Sequence, residues 1–177
     1  MQAQLAHSHS PLATSDPVFP SVRGEFYKYS SDFSIARPLY CLMKCKSNKS
    51  RPLDTIEQIP EEVDLTFIFE NGVWVCSPDS VPSARVLGDF VDPTKLNHSA
   101  ISSPIITKDE FYELRNRKDG TVLAAVCKIS NVRGIPVRAL AAGTVYSVKT
   151  ESGKYGMFLV TELTSSSIKI DACHILL

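Results

Sequence analysis

The sequence predicts a mainly β fold: an antiparallel β-sandwich or partly open barrel built from hairpins, with one short helix near residues 108–117. Three observations carry this expectation. Two apolar runs are joined by Asn71-Gly72, a pair suited to a tight hairpin because both turn positions need positive φ. The closing stretch AAGTVYSVKTESGKYGMFLVTELTSSSIKIDACHILL reads as three strands separated by polar turns. TKDEFYELRNR is the segment with complete helix punctuation. A length of 177 residues suits one domain with a sizeable core, expected over residues 23–177 behind a flexible tail at 1–22.

Taken in order, the tail carries Pro11, Pro17 and Pro20 among small and polar residues, without hydrophobic period. GEFYKY alternates as a strand. In SIARPLYCLMKCK, Leu39, Cys41, Met43 and Cys45 fall on one face and Tyr40, Leu42 and Lys44 on the other, so the strand is expected to bury its Cys/Met side. A polar connection follows, with a helical turn near Asp54. In the hairpin VDLTFIFENGVWVCSP, a two-residue loop would set Phe69 opposite Trp74 and Phe67 opposite Cys76. Val63, Leu65, Phe67, Phe69, Trp74 and Cys76 would then share a core face. Residues 77–104 read as loop-rich, with a short helix near 83–87.

The next helix opens on a capping box, Thr107 with Glu110, and closes on Arg115 and Arg117, which suit the dipole. TVLAAVCKIS reads as a strand, although its Leu-Ala-Ala centre is also compatible with a helix. In the closing meander, Tyr146 and Val148 share a face. Tyr155, Met157, Leu159 and Leu163 share another, opposed to Phe158 and Val160, and Ile168 and Ile170 alternate with Lys169 and Asp171. Gly153 serves the first turn through positive φ.

Composition narrows function by exclusion. Lys plus Arg and Asp plus Glu number 19 each, which argues against a general nucleic-acid binder. No apolar run approaches the roughly 18 residues of a membrane-spanning helix, so no transmembrane segment is expected. The N-terminus lacks the basic start and apolar stretch of an intact signal peptide.

The chemistry-bearing residues favour plain structural roles. The five cysteines (Cys41, Cys45, Cys76, Cys127 and Cys173) are expected mostly as buried thiols. On a strand, Cys41 and Cys45 stand about 13 Å apart, too far for one ion or one disulfide. Cys173 and His174 point to opposite faces and cannot pair, which leaves His174 as a hydrogen-bonded sheet histidine. Cys127 with His98 is the non-adjacent combination to consider for catalysis. His7-x-His9 is a metal pair only if the tail is ordered. ESGKYG lacks the frame of a phosphate loop, and Asp109, Glu110 and Glu113 belong to an exposed helix face. Catalytic residues, metal ligands and cofactors are therefore expected to be none. Tyr27, Tyr29, Tyr40 and Tyr112, which alternation leaves off the core face, are the expected ligand contacts.

One resemblance adds to this reading. Gly143, Tyr146, Lys149-Thr150, Gly153-Lys154-Tyr155-Gly156, Val160, Leu163 and the closing Ile168-Lys169-Ile170-Asp171 form a pattern. It resembles the C-terminal signature of a β-rich domain of secreted and lipid-anchored Bacteroidota surface proteins. Val63-Asp64, Ser77-Pro78-Asp79 and Glu110-Phe111 are similar to that domain's upstream features, and the likeness spans about residues 24–175. The last hairpin also bears a looser likeness to haem-binding surface lipoproteins, without an axial His or Met to match. The resemblance implies an exported or cell-surface module of generally unassigned activity. The cysteines and the missing export signal depart from it.

The expected function is a non-catalytic surface or periplasmic binding or structural module, taking a glycan, peptide or protein. The alternative is a small haem- or metal-binding carrier, or a Cys/His enzyme. The expected location is secreted, periplasmic or cell-surface if an export signal has been removed, and cytoplasmic otherwise.

Overall fold

The computed structural model describes residues 24–41, 50–88 and 91–176. The first sheet draws on β1 (Glu25–Ser34), β6 (Ser99–Ser102), β8 (Val145–Thr150), β9 (Tyr155–Leu163) and β10 (Ser167–Leu176). The second draws on β2 (Leu39–Tyr40), β3 (Ser50–Arg51), β4 (Leu65–Phe69), β5 (Val73–Cys76) and β7 (Val137–Ala139). Three α-helices join them: α1 (Val81–Leu87), α2 (Lys108–Arg117) and α3 (Gly120–Ser130). The strand orders are β1-β10-β9-β8-β6 and β3-β2-β4-β5-β7, antiparallel throughout. The result is the expected sandwich.

Apolar burial divides into three clusters. Between the sheets, Phe33, Tyr40 and Phe67 pack with Tyr146, Phe158 and Ile170. Outside the first sheet, Phe111 and Leu114 of α2 and Leu123, Ala124 and Cys127 of α3 cover Tyr155, Met157, Leu159 and Ile175. Outside the second, Leu87 of α1 and Ile56 of a 3-10 turn at Leu53–Gln58 cover Leu39, Cys41 and Val63. Both faces of the central strands are thus covered, and residues 155–160 of β9 are buried without a break.

The closing meander follows its alternation. Gly153 takes φ +83° in the β8–β9 turn. Leu163 departs from the expected face and packs against the inter-sheet core. The cause is a bulge: Ile168 pairs with Leu163 but Ile170 with Val160, so Thr161 is extra and the parity beyond it flips.

The β4–β5 hairpin is shifted by one residue from the expected register. Phe69 pairs with Val73, Ile68 with Trp74 and Thr66 with Cys76. The loop therefore holds three residues, with Asn71 at φ 49° and Gly72 at φ 120°. A one-residue shift exchanges the faces of an entire strand. Val73 and Val75, rather than Trp74 and Cys76, join Leu65 and Phe67 in the inter-sheet core. Trp74 lies half-buried, its indole N–H donating to the Glu70 carbonyl at 3.1 Å.

Capping in α2 is as expected: Thr107 Oγ1 accepts the Glu110 N–H at 3.2 Å, and the Glu110 carboxylate accepts the Thr107 N–H at 2.7 Å. TVLAAVCKIS is a helix, not a strand. Lys118 ends α2 in the left-handed conformation, and Asp119 caps α3 by accepting the Val122 N–H at 3.0 Å. The helix-forming Leu-Ala-Ala centre then sets Leu123, Ala124 and Cys127 onto the sheet. The stretch read as loop also contains β6, paired with β8. Its SAIS sequence is too short and too polar to announce a strand.

Candidate functional site

The structure gathers three of the four expected tyrosines around one histidine. His174 on β10 lies opposite Tyr27 on β1, and their rings stack with centroids 5.1 Å apart. The Tyr29 hydroxyl reaches His174 Nδ1 at 3.0 Å and also bonds the Tyr40 hydroxyl. Tyr40 does not present a ligand contact. It is 1% exposed and belongs to the inter-sheet core. Its strand alternates as expected, but the face opposite Leu39 and Cys41 is covered by the first sheet. Burial pushes the phenols of Tyr29 and Tyr40 well above the ordinary tyrosine range, so both stay neutral donors. Tyr27 remains half-exposed. The cluster pins β1, β2 and β10 together, and His174 is the hydrogen-bonded sheet histidine that alternation implied.

Tyr112 lies apart, on α2, where its hydroxyl donates to Asp171 Oδ2 at 2.6 Å. Ser30 bonds the other carboxylate oxygen, and Arg115 Nε donates to the Ala172 carbonyl at 3.2 Å. Partial burial works to raise the Asp171 carboxyl. The bonds from Ser30 and Tyr112 and the Arg115 charge outweigh it and hold the group below the usual range. Asp171 borders a cleft of about 630 Å³ with Ser31, Ser34, Arg37, Thr161 and Lys169. Most of its charge is spent within the chain, since Lys169 pairs with Glu162 at 2.9 Å.

The candidate nucleophiles are poorly placed for chemistry. Cys41, Cys76, Cys127 and Cys173 are free and buried, and Cys45 lies outside the described residues, as do His7 and His9. Burial pushes the Cys76 thiol up to about 11 and those of Cys41 and Cys173 up to about 12, far from the reactive thiolate. Cys127 donates to the Gly156 carbonyl at 3.3 Å, whereas His98 Nδ1 bonds Asp79 Oδ2 at 2.8 Å. Ser77 completes a Ser-Asp-His set of the wrong connectivity. Its hydroxyl donates to Asp79 rather than to His98 and accepts the Ser99 N–H at 2.8 Å, so its proton is not directed at the imidazole. Among the described residues, no three His, Cys, Asp or Glu side chains converge as a metal site.

The surface that stands out is the outer side of α3. Val122, Val126 and Ile129 follow helical spacing; Val122 and Ile129 face away from the sheet, while Val126 between them is partly buried against the cluster beneath the helix. Val122 is 45% exposed and Ile129 75%. Ile105 joins them with its side chain fully in solvent. Two clefts of about 310 and 560 Å³ share Ile105 and Val126. They form one groove across α3. Glu110, Glu113, Arg117 and Asp119 flank its first end, and Arg133 and Arg138 its second. A strand reading of TVLAAVCKIS conceals this surface, because alternation scatters the three residues over two faces. The i, i+4, i+7 spacing of Val122, Val126 and Ile129 was the signal available.

No family model matches the chain, and no curated protein matches it. It is similar to the crystal structure of a DUF4466 family protein from Parabacteroides merdae, with a TM-score of 0.59 at 7% sequence identity. The match covers 88% of this chain and 54% of that one, so the chain spans about half the length of its structural neighbour. At that identity the likeness shows a shared fold.

Proposed function

We propose that this chain is a non-catalytic binding module, exported or surface-placed, that holds a protein partner in the groove over α3. The observation that carries the reading is a helix apolar on two sides with only one of them buried. A helix of that kind belongs in a covered environment, and a large contiguous apolar patch on a folded domain marks an interaction site. A protein surface suits the groove better than a glycan, because its floor is mainly aliphatic and its charges stand at the two ends. The best-matched partner presents an apolar helical face with charges reversed at its ends, the helix-in-groove mode of recognition. The sequence resemblance to Bacteroidota surface domains supports the placement outside the cell.

Selection from a displayed peptide library tests this. The wild-type domain is expected to enrich amphipathic segments with apolar residues at i and i+4. An Ile129→Lys domain of unchanged melting temperature should not hold them. Peptides that bind both equally, or no enrichment by domain kept dilute enough to be monomeric, would refute the reading.

A further inference from the structure

We infer that the partner surface is α3 of a second copy, so that the chain forms a two-fold dimer through this helix. The inference rests on the binding reading above and adds the identity of the partner.

The argument is symmetry of charge. Among the residues lining the groove, the first end carries three carboxylates and one guanidinium, Glu110, Glu113 and Asp119 against Arg117, a balance of −2. The second end carries Arg133 and Arg138 with no carboxylate, a balance of +2. Between them lie Ile105, Val122, Val126 and Ile129, with three serines toward the second end. A surface with equal and opposite ends about an apolar middle complements itself under a two-fold axis perpendicular to its length, the relation that an isologous dimer requires. The axis falls near Val126, so Val122 of one copy meets Ile129 of the other and the Arg133 end of each meets the Glu113 end of its mate. The helices then run antiparallel, which also sets the positive pole of each beside the negative pole of the other. Ile105, fully exposed beside the helix centre, is covered by the same contact.

The decisive experiment is sedimentation of the full chain with three variants, each checked for an unchanged circular-dichroism spectrum. The wild-type chain is expected to dimerise and Ile129→Lys to remain monomeric. Arg133→Glu brings the second end to neutral and Glu113→Lys brings the first end to neutral, so each removes the attraction between unlike ends. Each alone should weaken dimerisation by at least tenfold, and an equimolar mixture should restore it as a heterodimer. Those two substitutions are exposed, so loss of folding does not confound them. A wild-type chain that stays monomeric at its highest soluble concentration would overturn the inference. So would a dimer indifferent to Ile129→Lys, or a mixture that fails to restore association. A monomeric chain that still enriches peptides at the groove would sink the second copy alone and leave the binding module standing.

Discussion

The two sides of α3 are made of the same kinds of residue and have opposite fates. Leu123, Ala124 and Cys127 are at most 1% exposed against the first sheet, while Val122, Ile129 and neighbouring Ile105 stand in solvent. Burying an aliphatic side chain is worth about 1.5–3 kcal/mol. The inner side has collected that stabilisation within the chain, and the outer side still has it to gain from a partner. Position against the sheet, rather than residue type, separates a core from an interface here.

The sharpest way to break this contrast is to hollow the inner side. Leu123→Ala should cost about 2–5 kcal/mol, since a fully buried leucine leaves a cavity its neighbours refill only partly. Chemical denaturation would measure it, and a loss below 1 kcal/mol would mean the inner side is not a true core.

Thiol labelling compares the sides directly. Burial raises the Cys127 thiol above its ordinary value, so labelling waits on local opening. A cysteine placed on the outer side by Ile129→Cys should react at least on the order of 100-fold faster in dilute protein. Mass spectrometry of time points would show whether the two rates separate.

The exit of α3 offers a mid-sized probe. A Cβ on Gly134 would stand 2.7 Å from Asn131 Oδ1 and 2.8 Å from the Ala100 Cβ. Gly134→Ala should therefore cost about 1–3 kcal/mol by overpacking, read from the denaturation midpoint.

The polar tether from α2 to β10 should show in the acid limb. The folded-state carboxyl of Asp171 is depressed below its unfolded value of about 3.9. Its contribution is thus fully present above that value and is lost as pH falls through the folded one. Wild type should lose this stability on acidification. Asp171→Asn should show a flatter acid limb and lie about 1 kcal/mol lower at neutral pH, discounted for partial exposure. Urea melts from pH 6 downward would check both. The smallest expected effect belongs to the outer side, where Ile129→Lys should change the stability of the dilute monomer by less than about 0.5 kcal/mol.

Much of the scaffold was legible because local chemistry and tertiary placement agree there. The capping box of α2 needs only Thr107 and Glu110 three residues apart, and both bonds form within one turn. Up to the bulge at Thr161, the meander alternates because one side faces the second sheet and the other faces helices. The errors arose where a single residue of slippage or an ambiguous period decided the outcome. Asn71-Gly72 suits a two-residue loop, but including Glu70 in the loop moved Trp74 off the core face. TVLAAVCKIS is apolar at both strand and helix periods, and its reading as a strand hid the candidate site.

By itself, the sequence determined the class of fold, the place of the hairpins, the cap of α2 and the opposite facing of Cys173 and His174. Each depends on residues within one turn or one strand. Tertiary structure alone decided which faces are interior. Tyr40 was read as outward because alternation separates two faces without saying which is covered, and in this sandwich both are. It also brought Ile105, Val126 and Arg133 beside one groove, a proximity made by packing helices on a sheet that no local pattern encodes.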